Sequence, residues 1–361
     1  MKARAAIADG KGSYTIDVVQ IGDPGAGEVL VSIKASGVCH TDLKVLPRWP
    51  AMIMGHEGAG VVLATGPGVT NVSTGDRVLL NWAMPCGQCY SCRHGLKNLC
   101  ENKPVVPSER FIHRGRPIAT SFGLGTMSTA TIVPQSACIR INVPIQFTTA
   151  CTLGCCVMTG YGSVINAARV ERGGSVVVIG TGAVGICCIQ AARIAEAGMI
   201  VAVDVNPAKL AYAKRFGATH TILADKNDEG LIRAAKQLKQ MTSGRGADYA
   251  FECTSLPSLG ASPLAMVRNG GTAVQISGIE EKVSIDMELF EWDKTYINPL
   301  YGKCDPERDF PKLLQHYAAG ELKLDEMVTG IYSLDELPRA FEDMLAGRNA
   351  KGVLDLELEN P

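Results

Sequence analysis

The chain has 361 residues, with 35 Lys and Arg against 36 Asp and Glu and a formal net charge of −1. No basic excess therefore directs it to nucleic acid or an anionic membrane. Its hydrophobic share of 46% and charged share of 20% fit a folded globular protein and exclude disordered, collagen-like and small disulfide-scaffold classes, while its length suggests about two domains.

At the N-terminus, Lys2 and Arg4 precede no apolar run, so no secretory signal is read. Thirteen cysteines without such a signal point to a reducing compartment, the cytoplasm, and their odd number argues against a purely disulfide framework. Short β-branched runs at 14–19, 29–35, 60–64, 77–81 and 129–133, broken by Gly and Pro, predict a twisted, mostly antiparallel β domain. From about residue 157 the pattern alternates. Strands are predicted at 176–179, 200–204, 249–253 and 273–276, with helices at 183–197 and 208–216, the βαβ order of a doubly wound parallel sheet. The uncharged stretch 173–192 could pass for a membrane span, but its glycines break it into a strand, a turn and a helix. Residues 333–347 read as a helix with a capping box of Ser333 and Glu336. Residues 353–358 alternate apolar and acidic side chains like a half-exposed strand. The simplest arrangement returns the C-terminus to the first domain.

Gly180, Gly182 and Gly185 form a G-x-G-x-x-G run between a predicted strand and helix, and Asp204 ends the next strand. The first glycine permits a tight turn, the second lets backbone approach a pyrophosphate, and the third lets helix and strand pack closely. The helix N-terminus favours the phosphate charge. Asp204 is placed to accept from ribose hydroxyls and to repel a 2′-phosphate, which favours NAD over NADP.

Cys86, Cys89, Cys92 and Cys100 form a C-x2-C-x2-C-x7-C cluster able to close a tetrahedral structural Zn²⁺ site. An iron–sulfur cluster or unrelated buried thiols are the other readings. Arg93, His94 and Lys97 are near enough in sequence to offset thiolate charge. A nucleic-acid-binding zinc ribbon fits neither the neutral charge nor the spacing. A second constellation joins Cys39 and Asp42, His56 and Glu57, and the distant Cys155. Singly, these read as packing or turn residues. Together, two thiolates and an imidazole could hold a metal with one position open, with Asp42 and Glu57 orienting the ligands.

With Gly37-Val38-Cys39-His40-Thr41-Asp42, Gly55-His56-Glu57-Gly58, the four-cysteine lobe, Leu153-Gly154-Cys155 followed by Thr159-Gly160-Tyr161-Gly162, and the glycine fingerprint, the chain resembles the zinc-dependent alcohol dehydrogenases of the medium-chain dehydrogenase/reductase superfamily along nearly its whole length. The resemblance implies an α/β architecture. A GroES-like, mostly-β catalytic domain would comprise 1–156 and 300–361, with a structural-zinc lobe at about 84–102. A Rossmann NAD-binding domain would be inserted at 157–299. It implies Cys39, His56 and Cys155 as catalytic-zinc ligands and Cys86, Cys89, Cys92 and Cys100 as structural ones. It places Thr41 on the proton path, His40 on the pyrophosphate, Thr159 on the nicotinamide side and Lys209 on the adenosine ribose. Lys351 would take a phosphate, and Trp82 would wall the substrate pocket.

Two departures from the family pattern stand out. Lys44 replaces the histidine that often ends the proton relay, so the relay would end on Lys44 or on water. The segment between Cys39 and His56 lacks the acidic residues that glutathione-dependent formaldehyde dehydrogenases carry there. Cys155 in place of a glutamate also disfavours a polyol-dehydrogenase role. The expected activity is reversible hydride transfer between NAD and a primary aromatic, allylic or medium-chain alcohol. Alternatives are reduction of a conjugated double bond or iminium, or a non-catalytic nucleotide- or zinc-binding structural role. The expected partners are a small alcohol or aldehyde and a second copy of the chain, a homotetramer being the alternative to the homodimer; neither nucleic acid nor membrane is expected.

Overall fold

The computed structural model describes residues 1–48 and 50–359. The chain divides into two compact units, Met1–Cys155 with Asp305–Pro361, and Cys156–Cys304.

The first unit is built from two mixed sheets. The axis of the larger is the ten-residue strand Glu28–Gly37, buried along most of its length. One edge pairs antiparallel with Gly58–Thr65, Ser36 opposite Gly58. The other pairs first with Ala130–Pro134 and then with the C-terminal strand Lys351–Asp355, Val353 opposite Gly37. The five strands expected before residue 157 all form, at Tyr14–Ile21, Glu28–Gly37, Gly58–Thr65, Arg77–Leu80 and Ala130–Pro134. The strand Lys2–Ala8 was not anticipated. Its alanines have little β propensity of their own, and it is held by pairing with Tyr14–Ile21 and Met52–Ile53.

The C-terminal segment differs from the expected half-exposed strand. Lys351–Asp355 lies between Glu28–Gly37 and Val328–Tyr332, and residues 351–354 are buried. Strands on both edges bury the backbone, and the acidic alternation begins only at Asp355, where the chain turns into the 3-10 segment Leu356–Glu359. The Ser333 capping box forms as expected, Ser333 donating from its backbone N–H and hydroxyl to Glu336 Oε2 at 3.0 and 3.1 Å.

In the second unit six parallel strands lie in the order His220–Leu223, Met199–Asp204, Ser175–Ile179, Ala247–Glu252, Val267–Gln275, Thr295–Ile297. In chain order this is 3-2-1-4-5-6, the doubly wound Rossmann arrangement, with its switch point beside the first strand. Val177, Ile179, Val201, Val203 and Ala250 form the core against one helical layer. Among the described residues one helix, Phe147–Ala168, is long and apolar enough to cross a membrane; 78% of its most apolar window is buried inside the fold. The stretch 173–192 instead splits into the strand Ser175–Ile179 and the helix Ala183–Ile194.

Candidate metal centres and dinucleotide site

Sheet register brings the first constellation together. Because Ser36 faces Gly58 across an antiparallel pair, the chain leaving Glu28–Gly37 passes beside the chain entering Gly58–Thr65. Cys39, the N-cap of the short helix His40–Val45, therefore meets His56 and Glu57. Cys155 arrives from a π-helical turn, Leu153–Val157, a local widening often found at functional sites. Close backbone packing permits this approach: a Cβ on Gly154 would lie 2.5 Å from the Leu80 carbonyl oxygen, and one on Gly37 would overlap the Glu57 carboxylate.

Ligand atoms of Cys39, His56, Glu57 and Cys155 all lie within 4.8 Å of one another. Asp42, 2% exposed, joins two of these residues. Its Oδ1 lies 3.0 Å from His56 Nδ1 and its Oδ2 accepts the Cys39 N–H at 3.1 Å. With the Nδ1 proton held by a carboxylate, Nε2 is left as the ligating nitrogen. Burial lowers the pKa of the imidazole, but the Asp42 carboxylate and Cys39 outweigh it and leave His56 well above the usual histidine range. The Cys155 thiol donates toward Cys39. Cys39 is thereby held well below the usual thiol range and Cys155 lifted well above it.

Glu57 is fully buried, and burial lifts its carboxyl to about 7 against the pull of the Lys351 ammonium. Lys351 Nζ lies 2.8 and 2.7 Å from the two Glu57 oxygens and donates to the Val38 carbonyl at 2.9 Å. The resemblance implies a phosphate for Lys351; in the structure the residue is 4% exposed and turned onto Glu57. Two thiolates, an imidazole and a neighbouring carboxylate form a donor set suited to Zn²⁺.

The second cluster gathers Cys86, Cys89, Cys92 and Cys100 within the same 4.8 Å limit. Backbone amides do the work the sequence reading assigned to nearby cations. Cys86 N–H donates to Cys100 Sγ at 3.2 Å, Cys89 N–H to Cys86 Sγ at 3.3 Å and Cys92 N–H to Cys89 Sγ at 3.4 Å. The Cys92 and Glu101 amides bring Cys89 down to about 6, while burial raises Cys92 to about 12. Lys97 is engaged elsewhere, with Asp305 at 3.0 Å and Glu307 at 2.8 Å, where it ties the lobe to the chain's return segment. Four convergent sulfurs, with no further donor grouped with them among the described residues, match a closed structural zinc site.

A pocket of about 670 Å³ lies beside the lobe, lined by Trp82, Met84, Lys103, Phe111 and Phe122 among others. Phe122 adopts a left-handed backbone (φ 53°), and its ring centroid lies 4.7 Å from His56 and 5.4 Å from Trp82. The pocket wall is thus one ring away from the metal-binding cluster. Sequence reasoning found Trp82 but missed Phe122 and Lys103, since an aromatic and a lysine in a loop carry no motif. Thr41 and Lys44, both partly exposed, share the helix His40–Val45 at i and i+3, the spacing of side chains on one face. His40 is exposed at that helix's start.

In the second unit, Gly180 has φ +83° and a Cβ there would strike Thr254 at 2.6 Å, while a Cβ on Gly185 would overlap the Gly180 carbonyl oxygen. At Gly182 a Cβ would meet nothing within 4 Å: the loop is open where a pyrophosphate would approach. Asp204 holds this loop, accepting the Thr181 N–H and hydroxyl on Oδ2, each at 2.9 Å, and the Asn206 N–H on Oδ1 at 3.0 Å. Lys209 is half-buried on the helix Pro207–Phe216. Thr159 is half-buried on Met158–Gly162, one helical turn past Cys155.

The family model of the alcohol dehydrogenase GroES-like domain matches residues 25–143, and that of the zinc-binding dehydrogenases residues 183–319. Over 98% of its length the chain is 35% identical to the whole of alcohol dehydrogenase class-3 from Cereibacter sphaeroides. It is 33% identical, over 98% of its length, to the whole of an S-(hydroxymethyl)glutathione dehydrogenase from Escherichia coli. Among solved structures, an alcohol dehydrogenase zinc-binding domain protein from Burkholderia ambifaria superposes with a TM-score of 0.90 at 31% identity, covering 99% of both chains. Benzyl alcohol dehydrogenase from Acinetobacter calcoaceticus gives 0.89 at 28% identity, covering 98% of this chain and 99% of that one. The chain belongs to the zinc-dependent alcohol dehydrogenase family of medium-chain dehydrogenases. It is an oxidoreductase whose cofactors are Zn²⁺ and NAD.

Proposed function

We propose that this enzyme oxidises primary alcohols with an aromatic, allylic or medium-chain body, and reduces the matching aldehydes. The observation that carries this reading is the Asp42 carboxylate holding Cys39 and His56 beside Cys155, one ring from an aromatic pocket. When bound, zinc supplies a Lewis acid for the alcohol oxygen and NAD a hydride acceptor.

The chain's own residues do the rest. Cys39, His56 and Cys155 hold the catalytic metal, Asp42 fixes the imidazole tautomer, and Cys86, Cys89, Cys92 and Cys100 hold the structural one. The Thr41 hydroxyl takes the alcohol proton and passes it along its helix face toward Lys44 or solvent. Trp82 and Phe122 orient the substrate and exclude water. Gly180, Gly182 and Gly185 admit the pyrophosphate at a helix N-terminus, and Thr159 takes the nicotinamide side. Asp204 and Lys209 bind the adenosine ribose, and Asp204 sets the preference for NAD over NADP. Lys351, spent on both Glu57 oxygens and the Val38 carbonyl, favours the ionised form of Glu57 beside the metal ligands.

We further infer a cytoplasmic homodimer. None of the thirteen cysteines is in a disulfide, as a reducing compartment requires, and segment 104–125 resembles the longer loop of dimeric family members. A second substrate reading, the glutathione adduct of formaldehyde, is favoured by the names of the relatives from Escherichia coli and opposed by the lack of any acidic residue between Asp42 and His56. The test is NADH formation by zinc-loaded enzyme across benzyl, cinnamyl, hexyl and ethyl alcohols, with S-(hydroxymethyl)glutathione and NADP⁺ as parallel arms. Turnover of the bulky primary alcohols above ethanol supports the proposal. A preference for ethanol, or for the glutathione adduct alone, would overturn the substrate assignment.

A further inference from the structure

The pocket beside the metal cluster is apolar on most sides, with Trp82, Met84, Phe111 and Phe122 in its wall. Two ionisable residues line it, Lys103 and Glu109. Glu109 is exposed and belongs to the mouth. Lys103 is half-buried, with its ammonium 5.4 Å from the centre of the Trp82 ring. Among the described residues no carboxylate lies within ion-pair distance of Lys103. An ammonium in this position has lost part of its hydration and gained only an aromatic face. Burial accordingly depresses its pKa, with only the Cys100 sulfur opposing. Apart from the Cys100 sulfur, no anionic partner faces this ammonium among the described residues, and a ligand could bring a carboxylate.

We propose that Lys103 receives a carboxylate at the far end of the alcohol substrate, whose body lies against Trp82 and Phe122 and whose hydroxyl reaches the cluster beyond the Phe122–His56 contact. The inference rests on the dehydrogenase reading above and names the substrate class for the same site: alcohols or aldehydes that are also monocarboxylic acids. A single ammonium matches one negative charge. A phosphate dianion would need more donors than this pocket has, and the Glu109 carboxylate disfavours a second charge at the mouth. The chain places both walls with one device. Trp82 lies just before Cys86 and Lys103 just after Cys100, so closing the four-cysteine lobe sets the lysine over the indole.

The test compares 4-(hydroxymethyl)benzoate with 4-methylbenzyl alcohol, a neutral molecule of nearly the same shape, in the zinc-loaded enzyme with NAD⁺. The wild-type protein is set beside Lys103→Met and Lys103→Arg. Because a charge-assisted hydrogen bond is lost, the ratio of kcat/KM for the acid over the neutral alcohol falls about ten- to a hundredfold in Lys103→Met, and Lys103→Arg restores most of it. Calorimetric titration with unreactive 4-methylbenzoate gives a second readout: its Kd rises by a similar factor in Lys103→Met. An unchanged ratio together with an unchanged Kd would overturn the proposal. Failure of all neutral alcohols to turn over would count against the dehydrogenase reading instead, and the calorimetric arm would still decide the lysine's role.

Discussion

Replacing Asp42 with Asn tests the catalytic metal site most directly. The carboxylate supplies two acceptors, one 3.0 Å from His56 Nδ1 and one 3.1 Å from the Cys39 N–H. Asparagine has the same shape but offers one acceptor and one donor. One of its ends must then face another N–H, or the imidazole must move its proton to Nε2, the nitrogen that should ligate. At 2% exposure no water substitutes cheaply. Losing one hydrogen bond to a charged acceptor costs about 1.5–3 kcal/mol, roughly a ten- to hundredfold weaker metal site. The assay is zinc competition with a chromophoric chelator, read alongside thermal unfolding. Asp42→Asn should release one zinc per chain at chelator concentrations where wild type keeps both, with kcat falling in step. The second zinc, at the four-cysteine site, should be retained. An Asn variant holding both ions with wild-type affinity would refute the assignment of Asp42 as the residue that positions His56.

Cys100→Ser should remove the structural zinc. If that ion contributes even about 3 kcal/mol of the roughly 10–16 typical of such sites, the Tm falls by about 4 °C; a Tm within about one degree of wild type would deny the lobe a structural metal. Asp204→Ser should lower kcat/KM for NAD about ten- to a hundredfold through lost ribose contacts while raising that for NADP, so an unchanged cofactor ratio would disprove its role. Lys351→Met leaves Glu57 buried without its cation, and denaturant unfolding should show a loss of about 3–5 kcal/mol. Adding Glu57→Gln should recover part of that loss. A Lys351→Met protein as stable as wild type would mean the pair carries no structural weight.

Local chemistry was legible in the chain wherever the required residues sit within one turn or one loop. The four cysteines of the lobe, the strand–glycine–helix order around Gly180 and the Ser333 capping box depend on short-range geometry, and spacing alone predicted them. Strand identity followed the β-branched runs. It failed at Lys2–Ala8, where alanine offers no propensity signal and pairing with two neighbours supplies the stability. It also misjudged the exposure of the C-terminal strand, because alternation along one strand does not report which strands cover its edges.

The long-range site is a different matter. Cys39, His56 and Cys155 come from two strand ends and a π-helical turn, and the residues alone left them as candidates. The family resemblance made them a set, and the Ser36–Gly58 register showed how backbone hydrogen bonding brings them together. Lys351 on Glu57, Phe122 on His56 and Lys103 over Trp82 have no spacing rule at all. Each depends on which segments the sheets and the lobe bring side by side, and on the cost of leaving a buried charge or ring without a partner. Sequence alone determined which groups the protein has for its chemistry, and tertiary packing decided which of them meet, because contact between distant segments follows from burial and register rather than from position along the chain.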